Sequence, residues 1–206
     1  MNLENLSEIE LLALLSASSV LRKKRLFELI LKTMIEKEHS FKKIYEALLQ
    51  TYLFAGFPSA LIALKKFGEI KSRKVEYSGY DIKKYSKTGV ANCRAIYGKK
   101  YDKLISNVQA FSPELADWLI VEGYGKVLGR KGLTFREREV CIVSILTALK
   151  YKDQLYSHLN GAVRLNAGVE LLRRTISNLE IISAKPAKKF GLRLLNEYLR
   201  TKKMIG

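Results

Sequence analysis

The sequence predicts an all-α protein. Apolar residues recur at the three- and four-residue spacing of a helix face, the two-residue alternation of a strand never persists, and only three prolines occur in 206 residues. With 48% hydrophobic residues, a chain of this length can bury a core of ordinary size without disulfide or metal staples. We therefore expect one compact helical domain or two small, closely packed ones.

Capping residues mark where several helices begin. Ser7 with Glu10, and Thr134 with Glu137, have the S/T-x-x-E form of a capping box, in which two side chains satisfy exposed backbone amides. Ser112 precedes a proline, a residue favoured at the first position of a helix. These three positions predict helix starts near residues 7, 112 and 134.

A further helix is predicted after Ser40, because apolar residues recur on one face from Phe41 to Leu53. Residues 69–90 are predicted to form a connector. The complete set of predicted helices covers residues 7–20, 24–37, 40–55, 58–68, 101–110, 112–127, 134–149, 152–167, 169–183 and 186–200.

The sequence indicates an internal repeat, with the generic amphipathicity of two weakly similar helical hairpins as the alternative. When Glu10 is set beneath Glu139, the same pattern of helices follows in both halves, provided that a single-residue gap is allowed part of the way along. The aligned pairs are Leu26 with Leu155 and Leu31 with Asn160 before the gap, and Ile44 with Leu172, Leu48 with Ile176 and Pro58 with Pro186 after it. The pattern predicts an N-terminal repeat over 1–68, a basic connector and the start of the second unit over 69–100, and a C-terminal unit over 101–206.

The chain is strongly basic, with 37 Lys and Arg against 20 Asp and Glu and a formal charge of +17. Such a charge attracts anions. The basic residues are dispersed, whereas a nucleic-acid-binding domain more often gathers them on one element and interleaves stacking aromatics. Solvated basic faces are the favoured interpretation, and nucleic-acid binding is the less favoured one.

The N-terminal segment MNLENLSEIE carries acidic residues and lacks the basic region of a signal peptide. No apolar run reaches the ~20 residues that cross a bilayer. These features predict a cytoplasmic protein without a membrane partner.

The only cysteines, Cys93 and Cys141, form neither a CxxC redox pair nor part of a four-ligand zinc pattern. We expect both to be buried, reduced thiols. The sequence predicts no metal ion and no cofactor.

Two ionisable residues are predicted to point into the core. His158 shares a helix stripe with Leu155 and Leu159, and Glu139 shares one with Val143 on the preceding helix. If these helices form a hairpin, the carboxylate and the imidazole can meet in an apolar pocket and be tuned for proton transfer. The alternative is a hydrogen-bonded core histidine without a catalytic role.

Several short motifs occur between Tyr124 and Gly168. They are Arg130-x-Gly132-Leu133, Arg136-x-Arg138-Glu139, His158 followed by Gly161-Ala162, and the helix-ending Gly168, and the first repeat adds Ala55-Gly56-Phe57-Pro58. With these motifs, the segment resembles the signature region of the carboxymuconolactone decarboxylase superfamily. The resemblance covers most of 90–200 and, more weakly, 8–67, and it implies an all-α fold of the alkylhydroperoxidase D type with two helical-hairpin units per chain.

The peroxidase branch of this family has a glutamate, a Cys-x-x-Cys pair and a histidine at fixed spacing on two successive helices. Glu139 and His158 stand at that spacing, but Tyr151 and Gln154 occupy the cysteine positions. A disulfide-forming peroxidase needs a nucleophilic thiolate and a resolving partner, so the sequence argues against CxxC-dependent peroxidase activity. A thiol-independent relative of the peroxidases is a less favoured alternative.

The chain is more similar to the decarboxylase branch, which decarboxylates γ-carboxymuconolactone without a metal or an organic cofactor. This resemblance implies a lyase or isomerase acting on a small anionic lactone or dicarboxylate, in which His158 donates a proton or stabilises a dienolate and Glu139 orients His158. Arg130 would bind a substrate carboxylate, and Tyr151 and Gln154 would line the substrate site. A salt bridge is an equal alternative for Arg130.

Two features depart from the family pattern. Lys126 stands where many decarboxylase relatives have an acidic residue, and the first repeat has Glu10 but Leu29 in place of the histidine, so this copy is expected to be structural. Lys126, Tyr151 and the high charge leave a noncatalytic helical binding or scaffold protein as the alternative. The resemblance also implies a homo-oligomer, with a trimer preferred over a hexamer.

Overall fold

The computed structural model of the chain describes residues 3–72, 77 and 79–205, with side chains as far as residue 202. All regular structure in these ranges is helical, and they contain no β-strand. The all-α prediction is confirmed.

The first half of the chain forms α1 (Glu8–Val20), α2 (Lys24–Glu36), α3 (Phe41–Leu49) and α4 (Tyr52–Ile70). The predicted helix over 40–55 is wrong in its second part, because α3 ends at Leu49 and α4 leaves it at a bend of 117°. Within α4, Gly56 has a φ of 74°, a conformation that glycine adopts at little cost, and this residue kinks the helix.

The next helix, α5 (Ile82–Tyr97), includes residues that the sequence assigned to a connector. Asp81 caps this helix by accepting a hydrogen bond from the backbone N–H of Lys84 at 3.0 Å. The first half of α5 is basic and mostly exposed, and its buried residues are Gly89, Cys93, Ile96 and Tyr97. The connector prediction is wrong from residue 82 onward, where the chain is helical. The sequence did not reveal this helix because its apolar stripe occupies only the second half. The predicted connector also covers 73–76 and 78, which lie outside the described residues.

The chain continues through α6 (Tyr101–Gln109) and α7 (Pro113–Trp118), and α7 runs on as a π-helix over Leu119–Val127. The π-helical segment packs along α5. At Gly125 an added Cβ would lie 2.1 Å from the backbone oxygen of Tyr85, so a side chain at this position would push the two helices apart.

The second half is completed by α8 (Phe135–Leu149), α9 (Lys152–Arg164), α10 (Val169–Ser177) and α11 (Lys185–Ile205). Both predicted capping boxes are present, at the starts of α1 and α8. These two helices pack against each other in the centre of the fold, and every residue over 10–20 and 138–148 is buried.

Between Arg22 and Phe41, backbone features of the first half recur at a constant spacing in the second half. Lys24 and Lys152 begin α2 and α9, and Phe41 and Val169 begin α3 and α10. The left-handed residues in the turns recur at the same spacing, Arg22 with Lys150 and Glu38 with Asn166. The buried residues of α2 correspond one by one to those of α9: Phe27, Ile30, Leu31, Thr33 and Met34 to Leu155, His158, Leu159, Gly161 and Ala162. This alignment without gaps, in which Lys24 is equivalent to Lys152, is termed the repeat register.

The repeat register corrects the alignment that the sequence predicted. The sequence alignment set Glu10 against Glu139, whereas the repeat register sets Leu11 against Glu139 and Phe27 against Leu155. A continuous apolar run such as that of α1 tolerates a shift of one residue in an alignment. The buried positions of α2 and α9 do not tolerate such a shift, because they match one another only in the repeat register.

Among the described residues, none of the helices is both long and apolar enough to cross a membrane by itself. Taken together, α3 and α4 are long and apolar enough for a membrane span, but the 117° bend lies between them.

Candidate functional site

Glu139 of α8 and His158 of α9 form a buried hydrogen-bonded pair. The Nδ1 atom of His158 lies 2.9 Å from Oε2 of Glu139. Glu139 is 1% exposed and His158 is 7% exposed, so bulk water competes little for this contact. The structure thus brings together the two residues to which the sequence assigned proton transfer.

Two local features set the geometry of the pair. Lys150 takes a left-handed conformation with a φ of 61° at the end of α8, and the chain turns there so that α9 packs back on α8. Gly161 leaves room for the carboxylate, because an added Cβ at this position would lie 2.8 Å from Oε2 of Glu139. The close contact between the two helices therefore requires glycine at this position.

Aromatic rings from other helices surround His158. Phe54 of α4 and Tyr97 of α5 lie edge to face with the imidazole, with ring centroids 6.1 and 6.3 Å from its own. The hydroxyl of Tyr97 accepts a hydrogen bond from the hydroxyl of Tyr124 at 2.9 Å. Burial raises the pKa of both tyrosines, so each hydroxyl keeps its proton at neutral pH. The histidine thus lies in a largely apolar site that also contains neutral hydroxyl groups.

The second carboxylate oxygen of Glu139, Oε1, is buried and has no hydrogen-bond partner among the described residues. A buried acceptor without a donor is costly, so this oxygen is a candidate acceptor for a ligand or a water molecule. The carboxylate also affects a neighbouring thiol. Burial first, and then the negative charge of Glu139, raise the pKa of Cys93 to about 12.

Both cysteines are free and buried, as the sequence predicted. Burial also raises the pKa of Cys141 to about 12. At neutral pH both sulfurs are therefore protonated thiols, which are poor nucleophiles.

The Glu139–His158 arrangement defines an acid–base pair. When the carboxylate accepts the Nδ1 proton, the imidazole presents Nε2 on the other side of its ring. Nε2 is then the atom that can exchange a proton with a ligand, while the carboxylate fixes the orientation of the ring. The side chain of His158 is 9% exposed, so the ring retains limited access to solvent.

Arg130 is occupied elsewhere. Its Nε atom donates to both carboxylate oxygens of Glu46 on α3, at 2.9 and 3.2 Å. The guanidinium that the sequence assigned to a substrate carboxylate thus binds a carboxylate of the protein. This is the salt bridge that the sequence left open as the alternative.

Glu46 is the centre of a second buried cluster. Arg138 donates to Oε2 of Glu46 at 2.9 Å, to Oε1 of Gln50 at 3.3 Å and to the backbone oxygen of Arg130 at 2.8 Å. Burial lowers the pKa of Arg138, although Glu46 opposes this effect. Consecutive helix residues point about 100° apart, so Arg138 faces α3 while its neighbour Glu139 faces α9.

The other predicted site residues lie near the surface. Tyr151 is 49% exposed at the start of α9, and Gln154 is exposed one turn before His158. The Nζ atom of Lys126 binds the carboxylate of Glu122 at 2.7 Å, so its charge is compensated within the chain. Of the substrate-binding residues that the sequence proposed, Gln154 shares a helix face with His158.

Leucine and isoleucine replace the pair in the first half. In the repeat register, Leu11 and Ile30 correspond to Glu139 and His158, and both are 0% exposed. The sequence predicted a first repeat with the acid but without the histidine. This prediction is wrong about the acid, because the counterpart of Glu139 is Leu11 rather than Glu10.

Sequence reasoning missed the aromatic residues around His158, namely Phe54, Tyr97 and Tyr124. Phe54 lies in the first turn of α4, which the sequence placed inside the preceding helix, and Tyr97 belongs to α5, which begins in the segment described as a connector. The helical spacing of Cys93, Ile96 and Tyr97 could have indicated an inward-pointing tyrosine.

Two surface clefts involve other parts of the molecule. One, of about 520 Å³, lies between α2, α3 and α4 and its lining includes His39, Lys42 and Lys71. The other, of about 470 Å³, is lined by Arg193, Asn196, Glu197, Arg200 and Thr201. Neither lining includes the Glu139–His158 pair. No group of three or more His, Cys, Asp and Glu residues in the described ranges could hold a metal ion.

A search of the chain against protein-family models matched none of them, and a search of curated proteins likewise found no match. A functional assignment must therefore come from the geometry of the chain's own residues.

Proposed function

We propose that the protein is a cofactor-independent lyase or isomerase that acts on a small anionic lactone or dicarboxylate, with His158 as the acid–base residue and Glu139 as its positioning partner. The buried 2.9 Å contact between Nδ1 and Oε2 carries this proposal. A carboxylate taken out of water is costly, and an imidazole can be satisfied in a core by a neutral acceptor. The charged partner is thus better explained by proton transfer than by packing.

The reaction requires control of protons and charge. In a decarboxylation, the bond between the carboxylate carbon and the ring carbon breaks, carbon dioxide leaves, and the electron pair passes to the lactone carbonyl as a dienolate. The protonated His158 then gives its Nε2 proton to carbon and recovers a proton from water. In an isomerisation, the same nitrogen removes a proton from one carbon and returns it to another.

Tyr97 supports the same chemistry. Its hydroxyl oxygen accepts from Tyr124, which leaves its own proton to be donated to an oxyanion beside the imidazole. Such a donor stabilises the dienolate more effectively in a water-poor site than in bulk solvent. Tyr97 is therefore a second candidate for contact with the substrate.

An anionic substrate is supported by the formal charge of +17, which raises the local concentration of anions at the surface. Because the Nε atom of Arg130 is held by Glu46, we propose a further donor for the substrate carboxylate. The amide of Gln154, exposed one turn before His158, is one candidate, and the hydroxyl of Tyr151 is another.

The chain is further proposed to contain two copies of one helical unit resembling the alkylhydroperoxidase D type. The constant spacing of the starts of α2 and α3, of the left-handed turns and of the buried residues of α2 supports a duplication. A trimer of such chains would close six units into a ring, which is the preferred assembly.

A noncatalytic binding or scaffold protein is the second candidate function. One observation favours it: the Nε atom of Arg130, a residue that the sequence assigned to a substrate carboxylate, binds Glu46. In that case the pair would serve only to hold α9 against α8.

The two candidates are separated by measuring turnover of γ-carboxymuconolactone and of isomeric lactone dicarboxylates by the purified protein. His158→Ala is expected to reduce turnover by about 10²–10⁴-fold, the usual contribution of a general acid or base. His39→Ala is the matched control, because it removes the only other histidine. It should keep the parent rate, since His39 is not part of the candidate site. Full activity in His158→Ala would refute the acid–base role. A parent protein inactive on this panel would favour the scaffold.

A further inference from the structure

The outer face of α4 exposes large apolar side chains. Phe57, Leu61 and Ile62 are 67%, 64% and 62% exposed. Lys65 follows Leu61 by four residues and is also exposed, so it lies on the same helix face. These four residues are termed the α4 patch. Glu69 lies one turn beyond Lys65 and is exposed, but it pairs with Lys66 at 3.3 Å, so Lys65 gives the patch a basic edge.

The corresponding face of the second half is charged. In the repeat register, Phe57, Leu61 and Lys65 correspond to Lys185, Lys189 and Arg193 on α11, and all three basic residues are exposed. In the second half, this position of the fold therefore carries side chains that water solvates. Its apolar character in the other half requires a specific explanation, because exposed apolar patches of this kind mark interaction sites.

A second apolar surface lies on α7 and in the turn before it. Phe111, Leu115 and Trp118 are 73%, 49% and 60% exposed. Glu114 and Asp117 are exposed between them, and the segment over 111–118 contains no basic residue. These five residues are termed the α7 patch, an apolar surface with an acidic edge.

We infer that the α7 patch of one copy of the chain docks on the α4 patch of a second copy. The two surfaces match in type, since each combines large apolar side chains with charges, and those charges have opposite sign. In a chain with 37 basic and 20 acidic residues, an acidic apolar surface is the one that a basic apolar surface of another copy can approach without repulsion.

A head-to-tail assembly compensates for the small size of each surface. A stable interface buries roughly 800 Å² per partner, and three partly exposed side chains supply less than that. Each copy in a head-to-tail assembly uses both of its patches, which doubles the area that it buries. An anionic membrane would attract Lys65 but would repel Glu114 and Asp117.

The contact would lie beside the candidate site. Phe54, which contacts the imidazole of His158, belongs to the first turn of α4, and the α4 patch begins at Phe57, directly after the kink at Gly56. Self-association is measured without a substrate, so this inference stands or falls independently of turnover.

Charge reversal tests the contact by sedimentation equilibrium at physiological ionic strength. Lys65→Glu and Asp117→Lys are each expected to weaken association by about tenfold or more, because each places like charges across the interface. The double variant Lys65→Glu with Asp117→Lys should restore the parent assembly. Lys189→Glu is the matched control, the same charge change on the solvated face of α11, and should leave the mass unchanged.

Circular dichroism and thermal melting confirm that each variant is folded. A monomeric parent, single reversals that keep the parent mass, or a folded double variant that stays dissociated would each overturn the contact. Binding of a monomeric parent to vesicles of phosphatidylserine and phosphatidylcholine would also overturn it.

Discussion

At position 161 the side chain is a single hydrogen, and Oε2 of Glu139 lies where a larger side chain would begin. Gly161→Ala would bring its Cβ to 2.8 Å from this oxygen and to 3.0 Å from Cγ2 of Ile96. Both neighbours are buried, so we expect a loss of about 1–3 kcal/mol in the free energy of unfolding, as for other overpacked cores. Urea denaturation measures this loss, and the NMR signals of the His158 ring report displacement of the carboxylate.

Gly68→Ala is the control for this substitution. An added Cβ at Gly68 meets no atom within 4 Å, and alanine is the better helix former, so stability should stay equal or rise. If Gly161→Ala were as stable as the parent and left the His158 signals unchanged, the close packing at Glu139 would be refuted.

At the scale of the helices, Lys43 of α3 ties together the beginnings of two other helices. Its Nζ atom lies 2.6 Å from a carboxylate oxygen of Glu8 on α1 and 2.6 Å from one of Glu137 on α8. Burial alone would raise the pKa of Glu137, but the hydrogen bonds from Lys43 and Thr134 outweigh it and lower the pKa. The hydrogen bonds to Glu137 and Glu8 raise the pKa of Lys43.

These directions define a pH window for the contribution of Lys43. Because the pKa of Glu137 is lowered in the folded protein, its contribution to the free energy of unfolding is complete above the pKa of the unfolded chain, about 4.3. This contribution is lost as the pH falls through the pKa of the folded protein. The raised pKa of Lys43 keeps its own contribution complete below about 10.4. Lys43→Met should therefore cost roughly 0.5–1 kcal/mol at pH 7 and progressively less below about pH 4.

Urea unfolding at pH 7 and at acid pH tests this window. Lys42→Met, a neighbouring exposed lysine, is the control and should change stability little at either pH. An equal loss for Lys43→Met at both pH values would show that the side chain acts through packing rather than through its charge.

At the scale of the whole molecule, the two halves are joined by two ion pairs at equivalent positions but with reversed charge. Arg138 of α8 binds Glu46 of α3 at 2.9 Å, and Glu10 of α1 binds Arg174 of α10 at 3.0 Å. In the repeat register, Glu10 is equivalent to Arg138 and Glu46 is equivalent to Arg174. The first pair has side-chain exposures of 1% and 2%, whereas Arg174 in the second pair is 57% exposed.

The difference in burial predicts unequal effects of removing the acid. Glu46→Gln leaves the buried Arg138 without a counter-charge and should cost about 3–5 kcal/mol in the free energy of unfolding. Glu10→Gln leaves an arginine that water can solvate and should cost about 1 kcal/mol or less. Chemical denaturation of both variants provides the comparison. Equal losses would mean that burial of the arginine does not determine the strength of these contacts.

The sequence by itself determined the features that depend on helical phase and on capping. The capping boxes at Ser7 and Thr134, the positions of α8 and α9, and the inward direction of Glu139 and His158 all follow from residues within a few turns of one another. The α-helix repeats about every 3.6 residues regardless of the surroundings. Local spacing was therefore sufficient to place both members of the candidate pair.

The tertiary structure alone decided the features that depend on distant partners. Arg130 binds Glu46, which is far from it in sequence, so local patterns could not distinguish this salt bridge from a substrate site. Phe54 and Tyr97 reach His158 from helices that meet it only through packing. The register of the repeat was likewise decided by burial, because apolar spacing shows which face of a helix is hidden but not which residues it is packed against.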